Sequence, residues 1–181
     1  MKADFDYLSS LISEFFSQKG IQNRLNIIYE HDISGWETWL QIEFSTFLAG
    51  HASEPDWGRE VALSVDKRKE KDRLAIRPDF IIRKKGWRQE RYMALEMKIH
   101  PAAKSCIHNM MADFEKLGKM KASELDVRSY WGLGLFLTPG PDSEPLDEII
   151  DDKALEWGVE CPSATTAICA IEETHYSYAI L

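Results

Sequence analysis

Tyr7, Leu8, Leu11, Ile12 and Phe15 recur three or four residues apart, which predicts an amphipathic helix from about Asp4 to Gln18, closed by Gly20. The segment from Ile21 to Tyr29 fits helix or strand. A second helical stripe runs through Trp36, Trp39, Leu40, Phe44, Phe47 and Leu48, and Ser34 with Glu37 three residues later predicts a capping box at its start. Beyond it the period changes. AGHASEPDWG has the composition of a loop, and Glu60 to Val65 alternates weakly. Leu74 to Arg83 and Arg91 to Ile99 read as strands joined by a hairpin at KKGW. Helical spacing returns from Ala102 to Lys121, with Ile107, Met110, Met111, Phe114 and Leu117 as the buried stripe. YWGLGLFL, Tyr130 to Leu137, predicts a central strand whose glycines imply a close backbone approach. After the loop TPGPDSEP, Leu146 to Trp157 predicts an acidic helix, and Thr165 to Leu181 one or two strands broken near Glu173 to His175. This order predicts an α/β fold with a central mixed β-sheet flanked by helices, as one domain over 1–181 with 1–33 as an N-terminal helical extension.

Two of these strands carry charges where apolar residues are expected. RPDFII places Pro78 and Asp79 beside a buried-looking run, and ALEMKIH interrupts another with Glu96 and Lys98. Side chains two apart on a strand share a face, so Glu96 and Lys98 point together while Met97 points into packing. If the strands bearing Asp79 and Glu96 are hairpin neighbours, both carboxylates come within the coordination shell of one ion. Glu43 lies at the edge of the second helix's apolar stripe, an expensive place for an unpaired carboxylate, and is the candidate third acid. Converging carboxylates with an adjacent cation are what metal-dependent phosphodiester cleavage needs.

Pro78-Asp79 followed by Glu96-Met97-Lys98 resembles the signature of the PD-(D/E)XK, or restriction-endonuclease-like, nuclease superfamily. Its core order, helix, three largely antiparallel strands, helix and strand (αβββαβ), matches the elements expected from Gly35 to Leu137. The resemblance covers roughly a hundred residues. It implies a restriction-endonuclease-like core and a nuclease needing Mg²⁺ or Mn²⁺, with Asp79, Glu96 and the Met97 backbone carbonyl as metal ligands. Lys98 would orient or help deprotonate water and stabilise charge. Glu43 would match the glutamate that the first core helix often supplies, and Asp113 and Lys116 would be auxiliary polar residues on the following helix. The resemblance further implies a nucleic-acid substrate, without selecting which acid, and 5′-phosphate products. DNA is the expected substrate with RNA not excluded, and a homodimer is expected because small members of the superfamily frequently act as dimers. The alternative is a catalytically inactive protein of the same fold that binds nucleic acid or protein.

Charge modifies this picture. The chain carries a net −8, which argues against coating nucleic acid by bulk attraction. Between Arg59 and Lys98, however, thirteen Arg or Lys face seven Asp or Glu, a local +6 that leaves −14 for the rest. Arg77, Arg83, Lys84, Lys85, Arg88 and Arg91 are therefore candidates for phosphate contact, with Lys67, Arg68, Lys69, Lys71 and Arg73 behind them. His100 shares the face of Lys98 and joins the candidate contacts, whereas His31, His51, His108 and His175 have no shared metal-ligand spacing. The acidic stretch 144–160 offers a docking surface for a basic protein partner. WGLGLF lacks the Lys-Ser/Thr ending of a phosphate loop. Cys106, Cys161 and Cys169 lack zinc-type spacing and read as reduced thiols in a cytoplasmic protein. No apolar run reaches the ~18 residues of a membrane span, so no membrane association is expected.

Overall fold

Three helices open the chain, α1 (Lys2–Phe16), α2 (Lys19–Glu30) and α3 (Glu37–Gly50). They are followed by strands β1 (Asp56–Arg59), β2 (Leu63–Ser64), β3 (Ala75–Ile76), β4 (Phe80–Arg83) and β5 (Tyr92–Ile99). Helix α4 (Ala103–Leu117), strand β6 (Val127–Leu137), helix α5 (Leu146–Trp157) and strands β7 (Ala167–Ala170) and β8 (Tyr176–Ile180) complete it. The computed structural model describes residues 1–64, 75–88, 92–117 and 127–181, with the backbone alone at 64, 75–76 and 115–117. Among the described residues no helix is long and apolar enough to cross a membrane.

The sheet order is β1-β4-β5-β6-β8-β7, with β5 and β6 parallel and the other neighbours antiparallel. Strand alternation sends Met93, Leu95 and Met97 of β5 to one face, where they join Leu8, Phe15, Leu25, Leu40 and Phe44 of α1, α2 and α3 in one core. On the other face α4 and α5 pack together around Cys106, Ile107, Met111, Ile149 and Ile150. The result is an α/β fold in which a mixed six-stranded sheet is flanked by helices. The ambiguous segment Ile21 to Tyr29 is helical, and its Ile21, Leu25 and Ile28 belong to the first core.

Several boundaries differ from expectation for physical reasons. Ser34 does not cap α3; the helix starts at Glu37 with Trp36 in the cap position and no side-chain cap bond. Asp56 to Gly58, expected as loop, form edge strand β1 against β4, a pairing that composition does not encode. The strand expected from Leu74 to Arg83 is broken at Arg77–Asp79, where Pro78 has no N–H to donate to a ladder. Among the described residues, short β3 pairs with β2 in a separate two-stranded ladder. The acidic helix occupies Leu146–Trp157 as predicted and ends at Gly158, whose φ of 64° is the left-handed conformation glycine adopts without Cβ strain.

One buried ionic contact ties the N-terminus to the central strand. Asp4 is 0 % exposed; its Oδ2 accepts from Arg128 Nε at 3.0 Å and from Ser129 Oγ at 3.2 Å. Ser129 Oγ in turn accepts from Trp131 Nε1 at 2.8 Å. Removing one partner leaves the others desolvated and uncompensated, so Asp4→Ala should cost about 2–4 kcal/mol of unfolding free energy in urea titrations.

Candidate active site

Asp79 occupies the break before β4, and the next residue, Phe80, fixes it. Phe80 is fully buried and meets Phe44 of α3 edge-on at 5.3 Å, while Phe44 meets Phe15 of α1 at 5.2 Å. This stack anchors the start of β4 under α3. The β4–β5 register pairs Phe80 with Leu95, so one step further along the hairpin Asp79 stands opposite Glu96. The contacts agree: the Asp79 N–H donates to Glu96 Oε2 at 3.3 Å, and the Met97 N–H donates to Asp79 Oδ2 at 2.7 Å. Extended backbone directs the N–H and C=O of one residue to the same side, so the Met97 carbonyl faces this break as well. Asp79 Oδ1 accepts from Gln41 Nε2 at 2.8 Å, and Gln41 Oε1 accepts from Arg59 at 2.8 Å.

Glu96 and Lys98 lie on the α4 side of β5, opposite Gly132 and Gly134 of β6. Those glycines admit α4. A Cβ on Gly134 would lie 2.3 Å from Met110 Sδ and 3.1 Å from Cys106 Sγ, and one on Gly132 would lie 3.0 Å from Met110 Cε. The close approach brings Asp113 of α4 to Lys98, with Nζ to Oδ2 at 2.8 Å, while Lys98 Nζ stands 3.6 Å from Glu96 Oε1. Gly134→Val should therefore lift α4, lengthen the Lys98–Asp113 contact and cost about 1–3 kcal/mol. Adding Met110→Ala should recover part of that loss in the same urea measurement.

Electrostatics follow from crowding acids in a half-buried place. Burial pushes Asp79 up to about 6, against the Met97 N–H bond and the Lys98 charge that pull it down. Burial, then the neighbouring Asp79 charge, pushes Glu96 up to about 7. For Lys98 burial acts downward, but Asp113, Glu96 and Glu37 outweigh it and its pKa is raised. Lys98 is thus a fixed ammonium at neutral pH. Cys106 lies behind it, with its thiol pushed up to about 12 by burial, and all three cysteines are free.

Among the described residues no group of three or more His, Cys, Asp or Glu is arranged to hold a metal ion. The pair Asp79 and Glu96 with the Met97 carbonyl is nevertheless a hard-oxygen set of the kind Mg²⁺ accepts, since that ion keeps several waters and uses one or two carboxylates. Two adjacent carboxylates that both resist ionisation suit a cation that would replace their protons.

Other expected residues fall elsewhere. Glu43 does not join the cluster: its carboxylate accepts from Trp39 Nε1 at 3.1 Å and pairs with Arg24 of α2 at 2.8 Å. The α3 acid whose charge acts on Asp79 and Lys98 is Glu37, one helical turn before Gln41 and so on the same face. Asp113 is in place, and the Lys116 side chain lies outside the described residues. The hairpin-tip cations do not converge on the cluster. Lys84, Lys85 and Arg88 follow β4, whereas Asp79 precedes it and Lys98 sits near the far end of β5, roughly 17 Å of strand away. Arg83 pairs with Asp56 and lies 5.1 Å over the Tyr92 ring, Lys84 lies 5.4 Å over Tyr7, and Lys85 pairs with Glu54. Arg77 is exposed beside the break; Arg91, Lys67, Arg68, Lys69, Lys71 and Arg73 lie outside the described residues. His100 is half-buried just past β5, where its Nδ1 accepts from the Ala102 N–H at 3.0 Å. Gln41 and Arg59 are the residues that sequence reasoning missed. The one signal was a polar Gln41 within an otherwise apolar helix face.

Comparisons with protein-family models, curated proteins and solved structures find no match to this chain.

Proposed function

We propose that the chain is a metal-dependent nuclease with a restriction-endonuclease-like core, hydrolysing phosphodiester bonds at the Asp79–Glu96–Lys98 cluster. The carrying observation is that Asp79 and Glu96 stand opposite each other across the β4–β5 hairpin, in hydrogen-bond contact, with Lys98 on the Glu96 face. The strand and helix order from α3 to β6 supports the same reading, with β4 and β5 antiparallel, then α4, then β6 parallel to β5.

Asp79, Glu96 and the Met97 carbonyl would hold a Mg²⁺ or Mn²⁺ ion, which would supply Lewis-acid stabilisation of charge on the phosphoryl oxygens. The chain's own residues do the rest. Gln41 and the Met97 N–H fix the Asp79 carboxylate by one bond to each oxygen, and Arg59 fixes Gln41. Lys98, kept protonated by Asp113, stabilises charge developing on the phosphate and orients the attacking water rather than deprotonating it. Glu37 adds negative potential that favours a cation at the site.

The test is cleavage of plasmid, single-stranded DNA and RNA with Mg²⁺ or Mn²⁺, followed by analysis of product ends. Metal-dependent products bearing 5′-phosphates are expected. Products formed equally in EDTA, or ending in 2′,3′-cyclic phosphates, would contradict the proposal.

A further inference from the structure

Two cavities meet at His100. One, of about 250 Å³, lies between the α2–α3 connection and the end of β5, and is lined by Tyr29, Trp36, Ile99, Leu137 and Tyr176 with Asp32 and Ser34 at its polar side. The other, of about 420 Å³, lies along the start of α4 and is lined by Lys104, Ser105, His108, Asn109 and Lys153. His100 lines both. It follows Lys98 by two residues, roughly 7 Å along the chain, and Trp36 adjoins Glu37. His100 thus places both cavities within two residues of Lys98 along the chain.

Their chemistries are complementary halves of one ligand. The first is aromatic: Trp36 meets Tyr176 edge-on at 5.6 Å, and Tyr29, 43 % exposed, stacks on His175 at 3.9 Å. Ile33, 45 % exposed, extends the apolar surface at its mouth. A flat heteroaromatic ring with polar edges suits such walls, because stacking needs a π-face and Asp32 and Ser34 can meet the edges. The second cavity presents two lysines held by acids: Lys104 pairs with Glu144 at 2.9 Å and also feels Asp152 and Glu156, and Lys153 pairs with Glu156. Exposed pairs of this kind contribute little, so a phosphate can take the acids' place. Between them stands the His100 ring, whose Nδ1 lies 3.0 Å from the Ala102 nitrogen and 3.2 Å from the Ala102 carbonyl oxygen.

We infer that a single nucleotide of the substrate straddles His100, its base in the Trp36–Tyr176 cavity and its phosphate over Lys104 and Lys153, so that the site takes unpaired, single-stranded nucleic acid. A base lodged in a walled cavity is removed from its stack and its pairing partner, which costs least when the strand is already single. The inference rests on the nuclease reading for its chemistry and extends it by naming the strand state of the substrate.

The test separates the two. Binding is measured in EDTA, where no metal-dependent cleavage occurs, with single-stranded DNA and RNA oligonucleotides carrying 2-aminopurine, and with a duplex of the same sequence as competitor. Stacking of the probe base should quench its fluorescence, and the duplex should compete at least ~10-fold more weakly. Tyr29→Ala, at an exposed position, and Ser34→Trp, which fills the cavity from its exposed loop, should each weaken single-strand binding ~5- to 100-fold. Lys104→Ala with Lys153→Ala should lower the salt slope by about 1–2. Tighter binding of the DNA or the RNA strand identifies the sugar, and either supports the inference. Equal competition by duplex, or single-strand binding unchanged in both cavity variants with native circular dichroism, overturns it. Cleavage of duplex and single strand at equal rates without quenching overturns it while leaving the nuclease reading intact. Quenching and cavity-variant losses in a protein that cleaves nothing uphold it and contradict the nuclease reading.

Discussion

Lys98→Met is expected to lower the single-turnover cleavage rate by about 10²–10³-fold, the loss typical of removing one preorganised charge from a transition state. The substitution also strips Asp113 of its 2.8 Å partner in a place where Asp113 is 5 % exposed, which destabilises the fold. Lys98→Met combined with Asp113→Asn removes that complication. It should restore much of the stability and none of the rate. A double variant as active as wild type would mean that Lys98 belongs to a structural ion pair. Melting temperature and rate, measured on the same samples, separate the two roles.

Glu96→Gln should have the opposite sign on stability. The Glu96 pKa is raised in the folded state, to about 7 from an ordinary 4.5, so the native state holds the proton more tightly than the unfolded chain. The stability this provides is fully present below about pH 4.5 and is lost as pH rises through about 7. At pH 8 without divalent ions the wild type carries the full cost of a buried charge beside Asp79, and Gln does not. The variant is therefore expected to be more stable by about 2 kcal/mol at pH 8, several degrees in melting temperature, and equal to wild type near pH 4.5. Mg²⁺ should reverse the order by stabilising wild type alone. An advantage for Gln that persists unchanged at pH 4.5 would show that ionisation of Glu96 is not its cause.

Much of the frame was legible because its elements bury one face with the right period. The acidic helix Leu146–Trp157 and the central strand within YWGLGLFL are where the pattern puts them, and the glycines do meet a helix closely. The facing of Asp79 and Glu96 was legible too, since a hairpin places the start of one strand opposite the end of the next. That same geometry tells against the tip cations. Residues in the turn of a hairpin lie at the other end from the residues that precede its first strand, so Lys84, Lys85 and Arg88 could not have stood beside Asp79. Glu43 misled because an acid at the edge of an apolar stripe needs a partner, and the stripe does not say which. Arg24, from a helix whose packing no local pattern specifies, is that partner. Gln41 and Arg59 were hidden for a related reason: Gln41 reaches from α3 to Asp79 at the break before β4, and Arg59 reaches Gln41 from an edge strand that composition presents as loop.

The central claim is that Asp79, Glu96 and Lys98 form a metal-dependent phosphodiesterase site. Its most direct measurement is the Mg²⁺-dependent cleavage rate of wild type beside Asp79→Ala, purified identically and offered plasmid, single-stranded DNA and RNA. Asp79→Ala removes a proposed metal ligand and should reduce cleavage by at least ~10³-fold on every substrate the wild type cuts. Equal rates for the two proteins, with or without chelator, would contradict the account.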